Sequence, residues 1–363
     1  MRPIRVGVIG ASLGKSWGAA AHLPALRALP GFELHAVATT RAESANATAR
    51  AFNVPLACTN AFDLATHPAI DLVSVCVKVP HHDAIVRAAL TAGKHVYCEW
   101  PLTVETEQAH DLARLAARSP GHHVVGLQGL ASPSVEALRK LIGGGWVGRV
   151  LSATYTATVS GFGGQTINTS RLHTLDPRDG TTLLTVAGGH ALSCLQHILG
   201  PLREVSARLD TRTPTPVVVE TGAPVTATAP DQLAVVGAFR DGATVAISVL
   251  GGAAKGADTF ELRIVCADAT VVARPALAGL PPQIADWHIV VHEGADTRVI
   301  GQPECDDPVP AGAPRGVGRL YRRLAAAIRE DGTVRPGFQD AAELHSVLDA
   351  VRRAARTGTR QGI

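Results

Sequence analysis

Arg5-Val-Gly-Val-Ile-Gly10-Ala-Ser-Leu-Gly14-Lys15-Ser16-Trp17-Gly18 decides the fold. Val6, Val8 and Ile9 supply the β-branched run of a buried parallel strand. Gly10 lets the backbone turn sharply, and Ser12, Gly14 and Ser16 are small enough for a phosphate to approach the main chain. The alanine-rich stretch Gly18–Leu29 reads as a helix whose N-terminus faces that phosphate. The usual dinucleotide fingerprint is G-x-G-x-x-G, and Ser12 stands at its second glycine. Gly14-Lys15-Ser16 ends like a Walker A loop, but that motif needs a glycine at position 9, which is Ile. A dinucleotide pyrophosphate is therefore the expected anion.

Further strands and helices alternate through residue 128. Phe32–Ala38, Asp71–Val77, His95–Cys98 and His123–Leu127 read as strands, and Ala42–Phe52, His82–Ala92 and Thr106–Arg118 as helices. That alternation implies a doubly wound parallel sheet of the Rossmann kind, with ligands at the carboxyl ends of its strands. Gly10, Arg41, Lys78, Glu99 and Gln128 all fall at those ends. The second strand closes on Thr39-Thr40-Arg41, with no carboxylate before Glu43. Hydroxyls and a cation suit a 2′-phosphate, so NADP is expected over NAD, which stays possible.

The pattern changes after residue 129. Pro133–Ile142 is helical, Leu151–Val159 alternates as a half-exposed strand, and residues 160–181 form a long loop of the kind that often carries function. Leu183–Leu199 is a helix bearing His190, and Thr211–Pro230 an irregular connection. Leu233–Phe239 and Ala243–Val249 flank Asp241-Gly242, a hairpin signal. Phe260–Cys266 and Trp287–His292 continue the strands, and Tyr321–Arg329 and Gln339–Arg356 are amphipathic helices. We expect an α/β chain of two domains. Residues 1–129 form the dinucleotide-binding domain, and 130–363 an α+β domain on a mainly antiparallel sheet.

The net charge of +3 over 363 residues gives no reason to expect nucleic acid, and no apolar run spans a bilayer. The chain enters a strand at once without a signal peptide, so a cytoplasmic protein is expected. Cys58, Cys76, Cys98, Cys194, Cys266 and Cys305 lack paired spacing and read as reduced thiols. The doublets His81-His82 and His122-His123 have no carboxylate or thiol at ligand spacing, so no metal is expected.

Several stretches together resemble the Gfo/Idh/MocA oxidoreductase family. Ala92-Gly-Lys-His-Val-Tyr-Cys-Glu99-Trp-Pro101 is similar to its AGKHVxxEKP motif. Ile142–Val150 resembles its glycine-bounded turn, Gly189-His190 through Gly200 its histidine helix, and Pro336–His345 its closing helix. A narrower likeness is to the branch of the fungal galactose-pathway repressor and its bacterial relatives. It rests on Gly14-Lys15-Ser16-Trp17, Val77-Lys78-Val79-Pro80 with His82, Glu99-Trp100, Leu127-Gln128-Gly129 and Gly189-His190.

The resemblance implies cofactor contacts from Gly10, Ser12, Gly14, Lys15, Ser16, Trp17, Thr39, Thr40, Arg41, Lys78, Pro80, His82, Glu99, Trp100 and Gln128. It also implies a homodimer or homotetramer. Catalytic members carry a lysine where Trp100 stands, and indole is neither acid nor base. Val186 and Ser193 replace the carboxylates that usually flank the helix histidine, and Leu130 replaces a common arginine. His190 and Lys78 are left as candidates for proton transfer. Two functions follow: an NADP-dependent oxidoreductase on a sugar, polyol or related hydroxy/carbonyl compound, or a non-catalytic dinucleotide sensor acting through a protein partner.

Overall fold

The structure is a computed structural model that describes residues 2–14, 16–277, 279–300 and 307–363. Two compact units divide it. The first holds Met1–Gln128 and Asp306–Glu343, the second Gly129–Cys305 and Leu344–Ile363. The chain thus returns to its first unit late. A single boundary at 129/130 assigned Tyr321–Arg329 to the second domain; linear patterning carries no signal for such a return.

In the first unit six strands form one parallel sheet: β1 (Ile4–Ile9), β2 (Phe32–Ala38), β3 (Leu56–Cys58), β4 (Leu72–Val75), β5 (His95–Cys98) and β6 (His123–Val125). Their order is β3-β2-β1-β4-β5-β6, so the crossover point lies between β1 and β4. Val6, Val8, Val37, Leu72, Val73, Val75, Val96 and Val124 are fully buried, the signature of a sheet covered on both faces. The short β3 was not expected from the sequence. The returning segment contributes the helix Ala313–Glu330, which begins two turns before the expected Tyr321. Its Val317, Leu320, Tyr321 and Leu324 recur at i, i+3, i+4 and i+7 and are wholly buried. Further on, Pro336 O accepts the amide of Val125, extending the β6 edge.

The second unit is built on a nine-stranded sheet. Its order is Asp296–Ile300, Trp287–Glu293, Thr270–Pro275, Thr259–Cys266, β7 (Val150–Val159), Thr244–Gly251, Gln232–Phe239, Leu202–Asp210 and Gln361–Gly362. Every neighbouring pair is antiparallel except β7 with Thr244–Gly251. Along β7, Ala153, Tyr155, Ala157 and Val159 point inward while Thr154 and Thr156 are exposed. The helices Pro133–Gly143 and Gly189–Leu199 are joined by the His197–Glu136 ion pair at 2.9 Å.

Residues 160–181 are more ordered than a plain loop. Thr166–Ile167 pairs in parallel with Val217–Val218, and Thr169–Leu175 and Pro177–Asp179 make tight helical turns. No described helix is long and apolar enough to cross a membrane.

Candidate functional site

The first unit gathers polar side chains at the carboxyl ends of β1, β2, β4, β5 and β6. At the end of β1, Gly10 has φ +94° and donates its amide to Ala38 O at 2.9 Å. A Cβ on Gly10 would lie 2.5 Å from Cys76 O, and one on Gly18 would lie 2.8 Å from Gly10 O. These two glycines let β1, the end of β4 and the following helix close on one another, as the first and last glycines of a dinucleotide loop do.

The expected helix over 18–29 opens as a wide π-helical turn, Gly18–His22, and continues as Leu23–Arg27. The Ser16 hydroxyl starts it by donating to Ser12 O at 2.9 Å and accepting from the Ala19 amide at 3.2 Å. Ser12 is half-buried and Gly14 exposed. The Trp17 indole N–H is buried without an acceptor among the described residues. Lys15 lies outside the described residues. Tight glycines, an orphaned donor and the amides of a helix start fit a phosphate-bearing ligand.

At the end of β2, Thr39 Oγ1 donates to Arg41 O at 3.0 Å and shares a hydrogen bond with Ser44 Oγ at 2.7 Å. Thr40 is exposed. Arg41 precedes the helix Ala42–Phe52, and its exposed guanidinium makes no ion pair among the described residues. Thr48, fully buried on that helix, donates to Ala11 O at 2.8 Å and ties the helix to the β1 loop.

Past β4, Lys78 and Pro80 are exposed, and Lys78 has no carboxylate partner among the described residues. His82 is 1% exposed. Its Nδ1 lies 2.9 Å from Pro101 O and its Nε2 lies 3.0 Å from Val77 O. It joins the loop after β4 to the loop after β5, and burial lowers its pKa.

β4 and β5 are neighbours with Val75 opposite Cys98, so Lys78 and Glu99 follow adjacent strand ends. Lys78 does not pair with Glu99. Instead Glu99 Oε1 is 2.8 Å from His22 Nε2, and the Gln128 amide reaches Oε2 at 2.9 Å and Oε1 at 3.2 Å. Gln128 is 4% and Trp100 6% exposed. His22 was not singled out in the sequence, because a histidine inside an alanine-rich helix start reads as a filler of the core.

In the second unit His190 is the second residue of Gly189–Leu199. Its Nδ1 is buried without a partner among the described residues, and burial pushes its pKa down to about 3. Ser193, where a carboxylate would orient the ring, donates its hydroxyl to His190's own carbonyl at 2.9 Å. One turn on, burial pushes the Cys194 thiol up to about 12, so it is inert as a nucleophile. No cluster of three or more metal-ligating side chains exists among the described residues.

A family model described as "Oxidoreductase family, NAD-binding Rossmann fold" matches residues 4–127. The first third of the chain thus resembles the Rossmann domain of the Gfo/Idh/MocA family. Residues 133–272 match a second model, the C-terminal domain of Gal80p.

Among curated relatives, the dehydrogenase aclE of Aspergillus oryzae is 31% identical over 224 residues, covering 60% of this chain and 61% of that protein. The galactose/lactose metabolism regulatory protein GAL80 of Kluyveromyces lactis is 28% identical over 270 residues, covering 69% of this chain and 59% of that protein. The matches thus span about three-fifths of these relatives' length.

Among solved structures, a super-repressor mutant of Gal80p from Saccharomyces cerevisiae superposes with a TM-score of 0.87 at 21% identity, over 99% of this chain and 98% of that one. Levoglucosan dehydrogenase in complex with NADH and levoglucosan superposes with a TM-score of 0.85 at 20% identity, over the full length of both chains. At these identities the likeness establishes the fold.

Proposed function

We propose that the protein is an NADP-dependent oxidoreductase acting on a sugar, polyol or related hydroxy/carbonyl compound. The observations that carry this reading are the cradle at Gly10 and Gly18 and, after the neighbouring strand β2, an exposed Arg41 with no ion pair among the described residues. When bound, the nicotinamide ring supplies the hydride acceptor or donor.

In this reading the amides of residues 11–14 and 16–18 hold the pyrophosphate. Arg41 holds the 2′-phosphate, with Thr39 and Thr40 beside it. Glu99 and Gln128 orient the nicotinamide half, and the buried Trp100 shapes the space that a lysine fills in catalytic family members. His190 is the second unit's candidate for a substrate hydroxyl. With a pKa of about 3 it works as a neutral hydrogen-bonding group, a weak base at best. The Lys78 ammonium, free of internal partners among the described residues, is the second proton-carrying group. Relatives that are sugar dehydrogenases support the substrate class.

A second reading is a dinucleotide-binding sensor that acts through a protein partner. The match of residues 133–272 to the Gal80p C-terminal domain favours it, as does a His190 stripped of orienting carboxylates. The test is a screen of sugars and polyols with both cofactors, followed by nicotinamide absorbance. Turnover that collapses in His190→Ala supports the enzyme. No turnover on any substrate, together with an NADPH-dependent change in affinity for a protein partner, replaces it with the sensor.

A further inference from the structure

The Glu99 carboxylate is the outer end of a buried chain of polar groups. His22 Nε2 lies 2.8 Å from Glu99 Oε1, and His22 Nδ1 lies 2.7 Å from the Tyr321 hydroxyl. Tyr321 Oη in turn lies 2.6 Å from Ser74 Oγ. Ser74, His22 and Tyr321 are wholly buried, while the Glu99 side chain keeps 13% exposure.

Donor and acceptor roles follow from chemistry. A carboxylate only accepts, so His22 donates from Nε2. The other nitrogen of a neutral ring accepts the Tyr321 O–H, and the tyrosine oxygen accepts the Ser74 hydroxyl. Burial raises the Tyr321 phenol well above its ordinary range, so it keeps its proton. The Gln128 amide donates to the same carboxylate, and the absence of a side chain at Gly126 leaves room for it, since a Cβ there would sit 2.7 Å from Oε2.

Stability alone gives no reason for this chain. Three apolar residues of the same shape would pack at comparable or lower free energy. What a fully satisfied chain adds is a fixed orientation of its one solvent-reaching member.

We propose that His22 and Tyr321 are positioning residues that hold Glu99 for the hydroxyls of a bound dinucleotide, so that a helix more than 200 residues downstream, Ala313–Glu330, tunes that binding. The proposal rests on the dinucleotide reading. It also gives the late return of the chain to the first unit a role, because Tyr321 is the group that return delivers.

The test is a double-mutant cycle on the full chain, with NADPH affinity read by nicotinamide fluorescence. Tyr321→Phe keeps the ring and removes one neutral hydrogen bond, and should weaken NADPH about fivefold. Glu99→Gln should weaken it by about tenfold or more. The double variant should be no worse than Glu99→Gln alone, because the carboxylate that Tyr321 serves is gone. Equal affinity in wild type and Tyr321→Phe, or effects that simply multiply, overturns the proposal.

A second readout needs no cofactor. The ¹⁵N shifts of the His22 ring should report a neutral Nε2–H form with a slowly exchanging proton, lost in Glu99→Gln. An Nδ1–H ring overturns the relay even if NADPH binds. Should the wild type bind neither dinucleotide, the functional reading fails, and the ring tautomer still decides the relay.

Discussion

Glu99 in the first unit and His190 in the second are the two polar side chains that best survive from the family's usual set, and the fold treats them in opposite ways. Glu99 is clamped by His22 and Gln128, each donating an N–H to a carboxylate that can only accept. His190 is packed but not clamped: its Nδ1 has no partner among the described residues, and Ser193 spends its hydroxyl on the helix backbone. Burial with no partner to offset it drives the histidine's pKa down to about 3. The first unit therefore holds its carboxylate in a fixed place. The second holds a buried histidine with nothing among the described residues to fix its proton.

The largest effect that would sharpen this contrast is kinetic. His190→Ala should lower turnover about 10²–10³-fold with NADPH affinity little changed, as expected for a positioned neutral hydrogen-bonding group. Steady-state rates beside a binding isotherm check it; a parallel loss of affinity would mean that the two units do not divide the work. Ser193→Asp should move His190's titration upward by placing a charge and an acceptor within one turn, read by NMR.

Acid should strain both units through buried imidazoles. Burial lowers His123 and His95 to about 4, and His190 to about 3. Unfolded histidines titrate near 6.5, so between about pH 6.5 and 4 the unfolded chain binds more protons and stability falls as pH falls. His123 alone accounts for up to about 3 kcal/mol across that window. Urea midpoints that stay flat from pH 7 to 5 would contradict this, and His123→Phe should flatten the curve.

A smaller effect separates the loop's chemistry from its structure. Gly10→Val breaks the β1–β4 contact, because its Cβ meets Cys76 O at 2.5 Å. Gly14 has φ +68° and open space around its Cβ position. Gly14→Val should therefore cost about 1–2 kcal/mol of stability, yet weaken NADPH at least about tenfold by obstructing the loop. Unchanged affinity in the folded variant would remove Gly14 from the binding surface.

Much of the first unit was legible because its signals are local. The β-branched run of β1, the turn at Gly10 and the strand ends at Arg41, Lys78 and Glu99 all sit within short windows. The antiparallel character of the second unit was equally open, since strands there follow one another directly. What stayed hidden depends on distance along the chain. His22 and Tyr321 lie 299 residues apart, and neither spacing nor periodicity links them. His82 belongs to a motif that resembles a cofactor contact, yet its ring nitrogens face Pro101 O and Val77 O, a pairing set by two loops. The expected loop at 160–181 gained order from Val217–Val218, again a long-range partner.

The central claim is that the first unit is built to take a dinucleotide carrying a 2′-phosphate, and calorimetry of NADPH and NADH against the wild type and Arg41→Ala tests it most directly. The wild type should bind NADPH at least about tenfold tighter than NADH, the size of a charge-assisted phosphate contact, and Arg41→Ala should erase most of that difference. Equal or NADH-biased affinity in the wild type would contradict the claim.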